Sequence, residues 1–240
     1  MPQRLRRSRV AVLATALLAL LALVAVPLTA AAAKGDHHGQ GARHGRHEPT
    51  IAAARALPLG TVVTIEGTVT TPSGVFASSF FDEGFGVQDA TAGIFVSFPN
   101  TDIGVQPPRR VEVTGVLQDV SGLLVIAPAS PKDVKVKGKD KPVQSTWVRT
   151  GSVGESTEGS IVRAVGVITQ GPIVDGDFGH KFFIDDGSGE ITVFVNLGTN
   201  ADVSSLAVGQ LIEVTGFSSQ FEDHYEIDIR GPEDLSQPLK

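Results

Sequence analysis

The residues with chemical capacity in this sequence are aromatic faces and clustered cations. Phe76, Phe81, Phe95, Phe183 and Phe194 offer planar surfaces on which a base or sugar ring can lie, and such stacking contributes about 1–3 kcal/mol per base. Arg109 and Arg110 stand side by side, and Lys137, Lys139 and Lys141 alternate through KGKDK, an arrangement suited to phosphate oxygens. Catalytic signatures are missing: the sequence has no Gly-x-Ser-x-Gly elbow, no His-Glu-x-x-His and no phosphate loop. It also has no cysteine, which excludes disulfide scaffolds, zinc-cysteine and iron-sulfur sites and thiol nucleophiles. The chain therefore reads as a non-enzyme with no catalytic residue and no cofactor.

Four of the six histidines, His37, His38, His44 and His47, fall in KGDHHGQGARHGRHE. Neutral imidazoles close together on a mobile chain can converge on zinc or copper. The same tract has no apolar periodicity, so residues 34–49 read as a solvated, disordered tether. The second reading is preferred, and no metal site is assigned.

Residues 1–33 carry Arg4, Arg6, Arg7 and Arg9, then an apolar run over 10–26, then Pro27 and small residues ending in Ala31 and Ala33. That order is a signal peptide's, and the apolar run reads as its helix. The mature chain is expected to begin near Lys34 and to be secreted or held in the cell envelope, with no stable membrane insertion after cleavage. An uncleaved anchor is the alternative. Without the four leader arginines, 16 cations face 26 acids, a net charge of −10. Such an acidic chain does not coat nucleic acid unspecifically unless its positive charge is local.

The elements that position these residues come from an internal duplication. Segments 50–136 and 150–236 are each 87 residues long and align element by element: 60–69 with 159–168, 84–98 with 181–195, and 110–116 with 211–217. Glu-Val-Thr-Gly recurs unchanged at 112–115 and 213–216, and a fifth segment closes each copy at 122–128 and 224–232. Within a copy, short runs of Val, Ile, Thr and Phe alternate between Gly, Asp, Asn and Pro clusters, which predicts five strands. Helix is limited to a turn or two at 51–57 and 203–208. Gly67 and Gly166 interrupt the first strand of each copy, where glycine lets a long strand bend around a barrel corner.

The bent first strand with Gly67 or Gly166, the hairpins at 88–93 and 185–190, and the fourth strand ending VEVTG or IEVTG resemble the oligonucleotide/oligosaccharide-binding (OB) fold. The second copy is similar to bacterial exported OB-fold proteins, through its IDDGSGEITVFV to IEVTG spacing and final EIDI. The first is similar to OB modules of secreted bacterial nucleases. The expected fold is all-β: two tandem five-stranded OB-type Greek-key barrels at 50–136 and 150–236. They are joined by a basic linker at 137–149 and end in a tail at 237–240. That linker has no apolar face, so a cut between Lys137 and Lys141 is expected to leave two folded barrels.

In OB folds that bind nucleic acid the ligand crosses the outer face of strands two and three. Alternation turns Phe85, Val87, Ile94 and Val96 inward in the first copy, and Phe182, Ile184, Ile191 and Val193 inward in the second. Outward are Gly86, Gln88, Phe95 and Ser97, and Phe183, Asp185, Thr192 and Phe194. Two readings of Phe95, Phe183 and Phe194 stand: stacking platforms, or contacts under a loop or against the other barrel. Phe76 and Phe81 flank the same face.

Charge separates the copies: five cations and eight acids in 50–136, three and fifteen in 150–236, and four cations against one acid in 137–149. A polyanion is therefore expected on the first barrel and linker. Single-stranded DNA or RNA would stack on Phe95 and meet Arg109, Arg110, Lys137, Lys139 and Lys141. The alternative is an envelope or extracellular interaction module whose acidic second barrel takes cationic small molecules or proteins. An extracellular nuclease or an envelope protein is the macromolecular partner expected on the resemblance.

Overall fold

Val63, Ile65 and Val69 alternate with Thr64, Glu66 and Thr68, and this period of two builds strand β1 (Val62–Val69) with the apolar set in the core. The computed structural model describes residues 48–237. The signal-peptide reading of 1–33 and the histidines of the tether lie outside the described residues.

A short helix, α1 (Ile51–Arg55), precedes β1 and is capped by the Thr50 hydroxyl, which accepts from the Ala53 N–H. A second, α2 (Ala77–Phe80), follows β1. Strands β2 (Phe85–Gln88), β3 (Gly93–Val96), β4 (Arg109–Val120) and β5 (Leu123–Ala127) complete the first barrel. They run in the order β1-β2-β3-β5-β4, and β4 returns to pair with β1. The β3–β5 pairing is parallel. Thr68 pairs with both Gln88 of β2 and Arg110 of β4, so β1 serves two neighbours. The bend sits beside Gly67, where a Cβ would come within 2.6 Å of Val87 Cγ1 and 3.0 Å of the Gln88 carbonyl oxygen.

Strand β6 (Val134–Lys139) pairs with β4, and β7 (Thr146–Trp147) lies parallel to β8 (Ile161–Asp175). The second barrel repeats the first: β8, β9 (Gly179–Asp185), β10 (Ile191–Asn196), β12 (His224–Asp228) and β11 (Leu211–Phe221), closed by β11 on β8. Its β10–β12 pairing is again parallel, and β13 (Leu235–Ser236) adds to β11 as β6 adds to β4. Both barrels have the OB-type strand order, and the expected inward residues fill both: Phe85, Val87, Ile94 and Val96 in one core, Phe182, Ile184, Ile191 and Val193 in the other.

Two expectations about the junction change. Lys137 and Lys139 belong to β6, and Trp147 is held on β8 beneath Arg163, whose guanidinium carbon lies 4.3 Å from the indole centre. Backbone pairing thus takes up both ends of the expected linker. The barrels are also not independent bodies: Val75, Phe76, Phe95, Leu123 and Val125 of the first pack with Ile161 and Phe217 of the second as a third buried core.

Candidate ligand cleft between the barrels

The outer face of β2, β3 and β5 carries Gly86, Phe95 and Val125. These are apolar or bare positions, so the face gains by leaving water. The second barrel covers it. The Phe95 ring lies 5.9 Å from that of Phe217 and 5.2 Å from Phe80, and Phe76 lies 5.8 Å from Phe217. Gly86 leaves the room: a Cβ there would stand 3.0 Å from the Phe217 ring. Phe95 is 2% exposed. It is therefore not an open stacking platform, and of the two readings the contact with the other barrel holds for Phe95; Phe76 is buried in the same junction.

Polar contacts lock the same junction. The Ile161 N–H donates to Gln88 Oε1 at 2.9 Å, which takes up a predicted ligand contact, and Arg230 Nη1 donates to the Thr70 carbonyl at 3.2 Å. Arg55 reaches Glu158 Oε1 at 3.0 Å and the Gly93 carbonyl at 3.2 Å. Burial pushes the Glu158 carboxyl above its ordinary range, and the Arg55 charge pulls it back in part.

Beside this core the barrels part into a cavity of about 740 Å³, within the range of small-molecule sites. Its second-barrel wall is one face of β9, β10 and β12: Thr192 stands opposite Phe183 and beside Glu226, and Phe194 stands opposite Lys181. The first barrel supplies Phe80, Phe81, Phe95, Leu123 and Val125. Phe178 and Phe221 stand half-open at the mouth with Phe81, whose ring meets Phe178 edge-on at 5.6 Å. Phe81 ends α2 at φ 53°, and it is 71% exposed. A bulky residue held in the left-handed region costs on the order of 1–3 kcal/mol, and here the strain presents a bare ring to the cleft.

The polar groups of the wall include the carboxylates of Asp82, Asp175 and Glu226 together with Lys181 and His224, and the Asp228 carboxyl is linked to Glu226 through Ser219. Asp228 is fully buried and accepts from Ser219 Oγ at 2.5 Å and from Asn196 Nδ2 at 3.1 Å. Asn196 Oδ1 in turn accepts from the Ser78 and Ser79 hydroxyls and from the Ser79 N–H, joining α2 to the second barrel. Glu226 is 6% exposed and lines the cavity. Among the described residues its Oε1 has only Ser219 Oγ at 3.4 Å, and Oε2 has only His224 Nε2 at 3.8 Å. Ser219 Oγ lies much closer to Asp228 than to Glu226, so Glu226 has no donor nearer than 3.4 Å among the described residues. Burial raises both carboxyls, Glu226 to about 7 and Asp228 well above its usual value, the latter also through the Glu226 charge.

Of the residues singled out in the sequence, Phe81, Phe95, Phe183 and Phe194 meet in this cleft, and Phe76 lies in the buried junction beside it. None of the five cations lines it. Arg110 is held by Glu66 at 2.9 Å and Asp140 at 3.6 Å, and Lys137 by Glu112 at 2.6 Å. Arg109 and Lys139 are cross-strand neighbours on β4 and β6; with Lys141 they make no ion pair among the described residues. Glu48, Glu66 and Glu112 bring carboxylate oxygens within 4.8 Å of one another. Lys135, Lys137 and Arg110 answer Glu112 and Glu66, so this group is an ion-pair network. Sequence reasoning missed Glu226, Asp228, Ser219 and Asn196. The signal was present in Glu226-Ile227-Asp228-Ile229: with both isoleucines in the core, both acids must face the opposite side.

No family model matches the chain, and no curated protein matches it. Among solved structures it is similar to ygiW from E. coli, at 21% identity and TM-score 0.29 over 37% of this chain and 88% of that one. A replication protein A heterotrimer bound to ssDNA gives 18% and 0.31 over 40% and 84%. A murine DNA binding protein bound with ds DNA gives 17% and 0.38 over 74% and 97%. The OB-type assignment rests on the strand order and its repetition in the two barrels.

Proposed function

We propose that this chain is a non-enzymatic tandem OB-barrel binding protein whose ligand seat is the cleft between the barrels. The observation that carries the reading is the unequal use of equivalent faces. On the first barrel the outer face of the second and third strands is covered by its neighbour, and on the second barrel it borders a cavity with Phe183 and Phe194. Aromatic walls with a few polar groups are the ordinary composition of a small-molecule site. The neutral dye N-phenyl-1-naphthylamine should brighten on entering the cleft, and Phe183→Ala and Phe221→Ala should each weaken it about tenfold, on the order of 1.4 kcal/mol. Dye binding that both substitutions leave unchanged would overturn the assignment.

Single-stranded nucleic acid is the second reading, favoured by one observation: Arg109 and Lys139 stand opposite each other with no anionic partner among the described residues, and Lys141 follows. On this reading the strand runs along the first barrel, and an extracellular nuclease is the companion protein. Export belongs to either proposal. The intact mass of protein recovered outside the cytoplasm should correspond to a chain beginning near Lys34. A mass that retains Arg4 to Arg9 would replace secretion with anchoring.

A further inference from the structure

We infer that the cleft selects an organic cation, a protonated amine with an aromatic or aliphatic body, whose ammonium meets Glu226 while its body lies among Phe183, Phe194 and Phe221. This rests on the cleft being the ligand seat and adds the chemical class of the occupant.

Three features of the wall carry it. The first is an unanswered acceptor: Glu226 is almost wholly buried and borders the cavity, yet its nearest donors are Ser219 Oγ at 3.4 Å and His224 Nε2 at 3.8 Å. A buried carboxylate left in that state is costly, and a cation placed against it relieves the cost.

The second is the balance of the surrounding charges. Asp175 on β8, Lys181 on β9, His224 and Asp228 on β12, and Asp82 from the first barrel are the charged or titratable groups around Glu226 and the cavity. The Lys181 ammonium is taken by Asp175 at 3.0 Å. Asp82 is saturated by the Gly84 and Phe98 N–H groups and the Ser97 hydroxyl. Among the described residues, Glu226 then has no cation nearer than the His224 imidazole at 3.8 Å, so an ammonium placed against it meets attraction and a phosphate or carboxylate meets repulsion.

The third is the company of rings. A cation over an aromatic face gains attraction from the ring quadrupole, and more when water is excluded. Phe194 is buried, Phe183 half-buried and Phe221 half-open, and all three line the same cavity as Glu226. Because burial holds a proton on the carboxyl pair near neutrality, an incoming ammonium favours its ionised form and drives a proton off. Affinity should therefore rise with pH through about 7 until the amine itself deprotonates.

Tryptamine, tryptophol and indole-3-acetate share one ring system and differ only in the terminal group, so titration calorimetry of the full chain with the three isolates the charge. Tryptamine should bind at least tenfold tighter than tryptophol, with indole-3-acetate weakest. Tryptamine binding should release a proton, read from buffers of different ionisation enthalpy. Glu226→Gln should erase the preference and the proton release while leaving tryptophol affinity intact, which shows that the variant is folded. Equal binding of tryptamine and tryptophol, no tryptamine binding at all, or a preference that survives in Glu226→Gln would overturn cation selection. If both indoles displace the neutral dye equally, the seat stands and only its charge selectivity falls. If dye binding is also indifferent to Phe183→Ala, the seat itself falls.

Discussion

Gly93 on β3 and Gly159 ahead of β8 meet backbone to backbone across the two barrels: a Cβ on either would press into the carbonyl group of the other. Gly159 also has φ +80°, so it is glycine for conformation as well as for space, whereas Gly93 is glycine for space alone. The contact lies two residues along β3 from Phe95, whose ring packs on Phe217 across the same junction.

Gly93→Val should push the barrels apart at this point. Overpacking of a close contact costs typically about 1–3 kcal/mol, so the melting temperature should fall and dye affinity in the cleft should weaken with it. Small-angle scattering and thermal melts check both. An unchanged melting temperature together with unchanged dye binding would show that the junction yields freely and does not define the cleft.

Cutting the chain between Lys137 and Lys141 should not give two well-behaved barrels. The first would expose Phe76, Phe95, Leu123 and Val125, and the second Ile161 and Phe217, all buried in the intact chain. The Arg55–Glu158 pair would also be split. The isolated first barrel should aggregate or lose dispersion in its NMR spectrum, and a dispersed monomer would refute the shared core as a source of stability.

The buried carboxyl pair predicts a pH dependence of stability with a definite sign. Glu226 is raised from 4.5 to about 7 and Asp228 is raised as well, so between about 4.5 and 7 the folded state binds more protons than the unfolded one. Stability then falls as pH rises through that window. Glu226→Gln should flatten this part of the profile and leave the protein more stable than the parent at pH 8. A parent profile that rises from pH 4.5 to 7 while the variant's stays flat would contradict the burial of the pair.

A labelled oligonucleotide at low salt separates the nucleic-acid reading from the cleft. Any binding should weaken steeply with salt, and Arg109→Glu with Lys139→Glu should flatten that dependence. Phe95→Ala should act through stability, since loss of a buried phenylalanine costs about 3–5 kcal/mol, and not through a lost stacking contact. Anisotropy that stays flat even at low salt, or binding indifferent to the two charge reversals, would remove the first-barrel strip as a nucleic-acid site.

Much of the architecture was legible in the residues because it depends on local, periodic information. The duplication, the five strands of each barrel, the inward set Phe85, Val87, Ile94 and Val96, and the bend beside Gly67 all follow from alternation and glycine placement within one copy. Alternation also set Phe95, Phe183 and Phe194 outward, and outward of the barrel they are. What it could not decide is whether outward means exposed. That depends on the neighbouring body: Phe217 and Ile161 close over Phe95, while the same face of the second barrel borders the cleft. Charge behaved likewise. The clusters Arg109–Arg110 and Lys137–Lys141 are visible as sequence, yet Glu66, Asp140 and Glu112 reach two of those side chains only through strand pairing. The Glu226–Asp228 pair was written in Glu-Ile-Asp-Ile, but its chemistry arises from burial in the folded chain, where Asn196 joins Asp228 to Ser78 of α2, and no spacing within the chain records that desolvation.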